Sequence, residues 1–231
     1  HQLVALASRR GALIVEDDPY EALRYEGEAL PSLISLASAG ASSGSGGCGD
    51  VLYFGTFSKV LAPGMRIGWV IGPPEAIARL AQLKQGADLH TSTFNQAIAA
   101  EAIGAGLFEH HVPRILAVYR QRRDAMLAAL ERHFPAGVSW TRPRGGLFLW
   151  VKLPEHLDSF KLLARALTAK VAFVPGSPFH ARGGGLNTFR LNFSYSTPEV
   201  IEEGMRRLGG VIAQVIAETA PSEISEISIP A

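Results

Sequence analysis

Apolar and polar residues recur along this chain with two periods, and the switches between them mark its elements. From His1 to Arg10 the apolar positions fall at helical spacing and Gly11 supplies a stop, which predicts a helix. Ala12-Leu13-Ile14-Val15 is continuously apolar. It predicts a buried strand that delivers Glu16, Asp17, Asp18, Pro19 and Tyr20 at its C-terminal end. Residues 21 to 50 have no period and are expected to be irregular, with the Ser/Gly-rich piece from Ala39 to Gly49 a flexible surface loop rather than an anion nest. Val51 to Phe54 and Ile67 to Gly72 read as two further strands, joined through a Pro63-Gly64 break that turns the chain back. Helices are predicted over Pro74 to Lys84 (amphipathic), over Asn95 to Ile103 and over Leu107 to Phe134.

From Val138 the character changes. Strands over Leu147 to Leu153, Val171 to Val174 and Phe189 to Phe193 alternate with helices over Ser159 to Ala169 and from Pro198 to about Glu218. The expected organisation is an α/β unit over residues 1–118 and a smaller α+β unit over residues 119–231, with the long helix as the bridge. The tail 221–231 alternates Ser, Glu and Ile and is expected to fray.

Composition narrows the partners. The chain has 231 residues, 47% of them hydrophobic, enough for one large or two modest domains. Lys+Arg 22 against Asp+Glu 21 gives no reason to expect a nucleic-acid or anionic-membrane partner. The basic run from Arg120 to Arg123 is flanked by apolar residues at helical spacing and reads as a solvated helix face. No apolar run reaches membrane-spanning length and no signal peptide is recognisable, so the expected location is cytoplasmic. A single Cys48 forms no internal disulfide and reads as a bystander in a reducing compartment. The chain opens on His1 inside a helical pattern, and the expectation is the C-terminal part of a longer protein.

Candidate chemistry gathers at Gly55 to Trp69. Thr56 and Ser58 bracket the approach to Lys59, and Arg66 follows seven residues later. Two cations and two hydroxyls between buried strands ask for an anion and offer an amine. Each residue alone has a plainer reading: the hydroxyls as turn caps, Lys59 and Arg66 as surface cations. Asp17 at a strand end needs a partner, whether a metal, a structural arginine or a cationic ligand. Adjacent Asp17 and Asp18 point apart and no histidine lies at ligand spacing, which argues against the metal. Tyr20 is compatible with a packed aromatic or with a hydroxyl turned toward the same site. Taken together, an acid able to hold a ring nitrogen protonated, a phenol, an amine and an anion cradle are what pyridoxal phosphate requires.

The order Asp17-x-x-Tyr20, Thr56-x-Ser58-Lys59 and Arg66 resembles the fold-type-I pyridoxal-phosphate aminotransferases of classes I and II. A narrower likeness is to their 2-aminoadipate/kynurenine branch. It is carried by Val15 to Tyr20, Lys84 to Thr91, Thr141 to Gly146, Val171 to Gly176 and Phe189 to Ser194. The resemblance implies a mostly parallel large-domain sheet with helices on both faces, only partly present here, and a small C-terminal domain. It implies that Asp17 pairs with the pyridinium nitrogen and Tyr20 with the phenolate oxygen. Lys59 would hold the cofactor covalently and shuttle the proton, and Thr56, Ser58 and Arg66 would bind the phosphate.

In the same family an arginine matching Arg190 clamps the substrate α-carboxylate, although by itself Arg190 reads as a structural ion-pair member. Asn192 shares its face of the strand and is assigned no role. The family's N-terminal phosphate loop, ring-stacking aromatic and Asn-Pro motif have no counterpart in this sequence. The implied activity is amino-group exchange between an amino acid and a 2-oxo acid such as 2-oxoglutarate, in amino-acid metabolism and biosynthesis, by a homodimer with its site at the subunit interface. Two alternatives share the scaffold: the ligand-sensing domain of a MocR-type transcriptional regulator, and a decarboxylase or lyase.

Overall fold

A computed structural model describes residues 1–40 and 51–219. Most of the Ser/Gly-rich piece, Cys48 and the tail 221–231 lie outside the described residues. The chain divides into two compact units, residues 1–117 with 144–146, and residues 118–143 with 147–231. No helix among the described residues is long and apolar enough to cross a membrane.

In the first unit, helix α1 (Gln2–Arg10) ends at Gly11, whose left-handed backbone (φ 58) lets its N–H reach the carbonyls of the last turn. Strands β1 (Ile14–Asp17), β2 (Val51–Thr56) and β3 (Gly68–Ile71) form one sheet in that order, β1 parallel and β3 antiparallel to β2. Val51, Leu52 and Tyr53 are buried, and Leu23, Val60 and Ile67 join them. The first strand differs from expectation. It starts two residues later and is not buried, since Val15 is 60% exposed on a strand paired only with β2 among the described residues.

Residues 21–40 are not wholly irregular either. Helix α2 (Leu33–Gly40) follows Pro31-Ser32, and the Glu16 carboxylate accepts its Leu33 and Ile34 amides at 2.8 and 3.1 Å. Helix α3 (Pro74–Asp88) runs four residues beyond its predicted end and has no buried residue, so it lacks the core face expected of it. Helix α4 (Thr93–Gly104) is capped by the Ser92 hydroxyl, which accepts the Asn95 amide at 3.3 Å.

Helix α5 (Leu107–His133) runs from the first unit into the second. Its basic run is not one solvated face. Arg123 is 4% exposed and is satisfied by Asp124 Oδ1 at 2.7 and 2.9 Å and the Pro143 carbonyl at 2.9 Å. The second unit holds strands β4 (Ser139–Trp140), β5 (Phe148–Lys152), β6 (Val174–Pro175) and β7 (Thr188–Asn192), ordered β4-β5-β7-β6 and antiparallel throughout.

Alternation in β5 and β7 divides that sheet's faces. The pairs Leu149–Leu191 and Val151–Phe189 join a buried core with Leu130 of α5, Leu162 of α6 (Ser159–Thr168), and Leu208 and Ile212 of α7 (Pro198–Thr219). The pairs Trp150–Arg190 and Phe148–Asn192 occupy the opposite face. The expected strand over Val171 to Val174 shortens to β6, because the Val171 amide turns back to the Ala166 carbonyl at 2.9 Å to close α6.

Candidate functional site

Parallel pairing of β1 and β2 brings two strand ends side by side. Asp17 sits opposite Phe54, and the Asp18 amide donates to the Phe54 carbonyl at 3.0 Å. Beyond Phe54 the chain passes Gly55 and Thr56 and turns, with the amides of Val60, Leu61 and Ala62 converging on the Phe57 carbonyl at 3.3, 2.9 and 3.2 Å. The Thr56 hydroxyl accepts the Ser58 amide at 3.1 Å and lies 3.0 Å from both the Ser58 hydroxyl and the Ile67 carbonyl. One proton serves one of those two oxygens at a time, so the hydroxyl pair can reorient toward an added acceptor. Lys59 is half-buried in this turn, and its amine has no hydrogen-bond or ion-pair partner among the described residues.

A 3-10 turn over Pro63–Met65 follows, and Arg66 closes it in the left-handed region (φ 54). Its guanidinium is exposed and spends one donor on the Pro63 carbonyl at 3.2 Å. The next carbonyl, Ile67, accepts the Phe57 amide at 3.2 Å, which ties Arg66 back to the hydroxyl pair. Asp17 is exposed and has no partner among the described residues, and Tyr20 is half-buried past the Asp18-Pro19 bend. Asp17, Thr56, Ser58, Lys59 and Arg66 are therefore gathered at one end of one sheet.

Several supporting residues escaped the sequence reading. Asn95 of α4 donates Nδ2 to the Met65 carbonyl at 3.1 Å and so steadies the turn before Arg66. Phe57 packs on Trp69 at 4.6 Å and on Phe108 at 5.6 Å between ring centroids. A Cβ on Gly55 would lie 2.3 Å from Trp69 Cε2, so that position needs glycine for close approach. Below the site the Tyr53 hydroxyl donates to Glu21 at 2.9 Å. Burial, that bond and the nearby carboxylates of Glu21, Asp18 and Glu16 push its phenol well above the ordinary value. None of these contacts has a local sequence signal, since each joins residues at least 12 positions apart.

Arg190 belongs to the second unit. It lies mid-strand in β7, half-buried, opposite Trp150 on one side and Val174 on the other. It lines a groove of about 420 Å³ with Asn192, Lys170, Phe173, Leu191 and Met205. No ion-pair partner for it occurs among the described residues, so the structural ion pair considered above is not what holds it.

An α/β unit followed by an antiparallel α+β unit is part of the fold of a fold-type-I transferase. The chain belongs to the aminotransferase class I and II family, whose profile matches residues 1–208. It is 46% identical over 217 residues to the 2-aminoadipate transaminase of Thermus thermophilus, covering 94% of this chain and 53% of that protein. The crystal structure of LysN, the α-aminoadipate aminotransferase of Thermus thermophilus complexed with N-(5'-phosphopyridoxyl)-L-leucine, superposes with a TM-score of 0.88. The identity there is 44%, covering 94% of this chain and 54% of that chain. A helix-turn-helix transcriptional regulator of Bacillus subtilis, YdfD, matches at 32% identity over 93% of this chain and 42% of its own length. The chain spans about half the length of the enzymes it matches.

Proposed function

We propose that this chain carries the lysine-bearing half of a pyridoxal-phosphate-dependent aminotransferase site. The observation that supports it best is the parallel β1–β2 pair, which sets the free Asp17 carboxylate beside the turn holding Thr56, Ser58 and the unpartnered Lys59 amine. The residues fit the cofactor: two reorientable hydroxyls and a guanidinium for a phosphate, a carboxylate for a ring nitrogen, and an amine for a carbonyl carbon. When bound, pyridoxal phosphate supplies an electron sink for the carbanion left after a substrate Cα loses its proton.

On this reading Thr56, Ser58 and Arg66 bind phosphate, Asp17 holds the ring nitrogen protonated, and Tyr20 donates to the ring oxygen. Lys59 would anchor the cofactor, yield to the substrate amine and, as the freed base, carry the proton between the substrate Cα and the cofactor's C4′. Arg190 receives the substrate α-carboxylate with its planar fork. Residues 1–118 then form part of the large cofactor domain, and 119–231 the small domain. The substrates are an amino acid of the 2-aminoadipate, aromatic or branched-chain range and a 2-oxo acid such as 2-oxoglutarate. The working form is a cytoplasmic homodimer.

Higher identity to the transaminase than to the regulator (46% against 32%) favours the enzyme reading. A clamped carboxylate disfavours decarboxylation. In the full natural chain, borohydride should lock the cofactor onto the peptide containing Lys59. Lys59→Ala should lose that adduct and reduce amino transfer on the order of 10³-fold or more. Wild-type protein that takes up no pyridoxal phosphate, or that releases carbon dioxide instead of transferring the amino group, would refute the reading.

A further inference from the structure

Arg190 poses a problem that the carboxylate role alone does not solve. A mid-strand, half-buried guanidinium is ordinarily held by a carboxylate, yet no acidic side chain lines its groove among the described residues. What it does touch is aromatic. Its Cζ lies 4.1 Å from the centroid of Phe148 and 5.0 Å from that of Phe179. Phe148 comes from the neighbouring strand β5, opposite Asn192, and Phe179 from the 3-10 turn Ser177–Phe179 after β6. Phe179 is in turn braced edge-on by Trp150 (5.4 Å, 86°), whose other neighbour is His180 at 6.3 Å. Asn192 Oδ1, which lines the same groove, is occupied by the Ser194 amide and hydroxyl at 2.7 and 2.8 Å.

We infer that Phe148 and Phe179 are positioning residues that hold the Arg190 guanidinium by cation–π contact in place of an ion pair. They thereby leave its N–H fork open to an incoming carboxylate. The physical logic is competition. A carboxylate that steadied Arg190 would occupy the bidentate donors the ligand needs and cancel the charge that attracts it. A ring face steadies the cation through its quadrupole and uses none of the in-plane donors. Rings also shed water from the guanidinium, which strengthens the bond to an anion that then arrives.

This inference rests on Arg190 being the carboxylate-binding residue. Calorimetry on the full natural chain, with 3-phenylpropanoate and its uncharged amide as probes, separates the two ideas. Phe148→Leu and the milder, surface-lying Phe179→Leu should each weaken acid binding about three- to tenfold with amide binding unchanged. Phe148→Tyr, which keeps the ring face, should stay within about twofold of wild type. The KM for amino acid should rise with the loss of acid binding while kcat changes less. Wild type that binds acid and amide equally would overturn both the Arg190 role and the inference. Acid binding lost in Arg190→Lys but intact in both leucine variants, lost equally in Phe148→Tyr, or lost together with amide binding, would overturn the inference alone.

Discussion

At the scale of single residues, the site depends on a contact that tolerates no extra carbon. Gly55 passes under the Trp69 indole so closely that any side chain must displace the ring from its stack on Phe57. Gly55→Ala should destabilise the first unit by about 1–3 kcal/mol, read as a lowered denaturant midpoint, and should weaken cofactor retention because Phe57 begins the lysine turn. The motif residues themselves were legible in the sequence because their spacing is local: Thr56, Ser58, Lys59 and Arg66 fall within eleven consecutive positions. Arg190 was singled out only through the family resemblance, since by itself it reads as a structural ion-pair member. Its aromatic support was not legible, since Phe148 reaches it only through a strand register that joins residues about 40 positions apart, a distance no local pattern encodes.

At the scale of elements, local periodicity succeeded where the element carries its own signals. Helix α6 is capped by Asp158, whose carboxylate accepts the Phe160 amide at 2.8 Å, and α7 starts at Pro198. Helix α2 was missed for the complementary reason. Its N-terminal amides are satisfied by Glu16 from the end of β1, a cap supplied from 17 residues upstream. The charge suits the helix dipole, and the same bonds pin the residue just before Asp17. Glu16→Ala should cost about 1 kcal/mol, appearing as faster amide exchange over Leu33 to Gly40, and should broaden the position of Asp17. Unchanged exchange there would mean that tertiary packing alone holds α2. The exposed faces of β1 and α3 are the other misreading. A continuous apolar run foretold burial for β1 and an amphipathic pattern foretold a core face for α3, but burial needs a covering layer, which the described residues of this unit do not supply to Val15 or to α3.

At the scale of the whole molecule, the pattern of the sequence changes only from Val138, whereas the chain divides into two compact units near residue 118, with 144–146 returning to the first. There the Tyr25 and Glu26 amides bond the Arg144 carbonyl at 2.7 and 3.2 Å. The second unit carries an acid-sensitive link. Glu202 on α7 accepts from Arg132, and lies 2.7 Å from His133, on α5, and those bonds hold its carboxyl at about 2. A depressed carboxyl stabilises the fold above its unfolded value and loses that contribution as pH falls toward the folded one. The stability of the second unit should therefore decline between about pH 4.5 and pH 2, and Glu202→Gln should flatten that decline in denaturant titrations. The sheet of the same unit has a temporal consequence. Its order β4-β5-β7-β6 puts the last-made strand in the middle, so on the ribosome β5 emerges about 40 residues before β7, the later of its two partner strands. At ordinary translation speed Leu149 and Val151 wait roughly 2–8 s for their β7 partners, Leu191 and Phe189. That interval is when a nascent-chain chaperone would have most to protect.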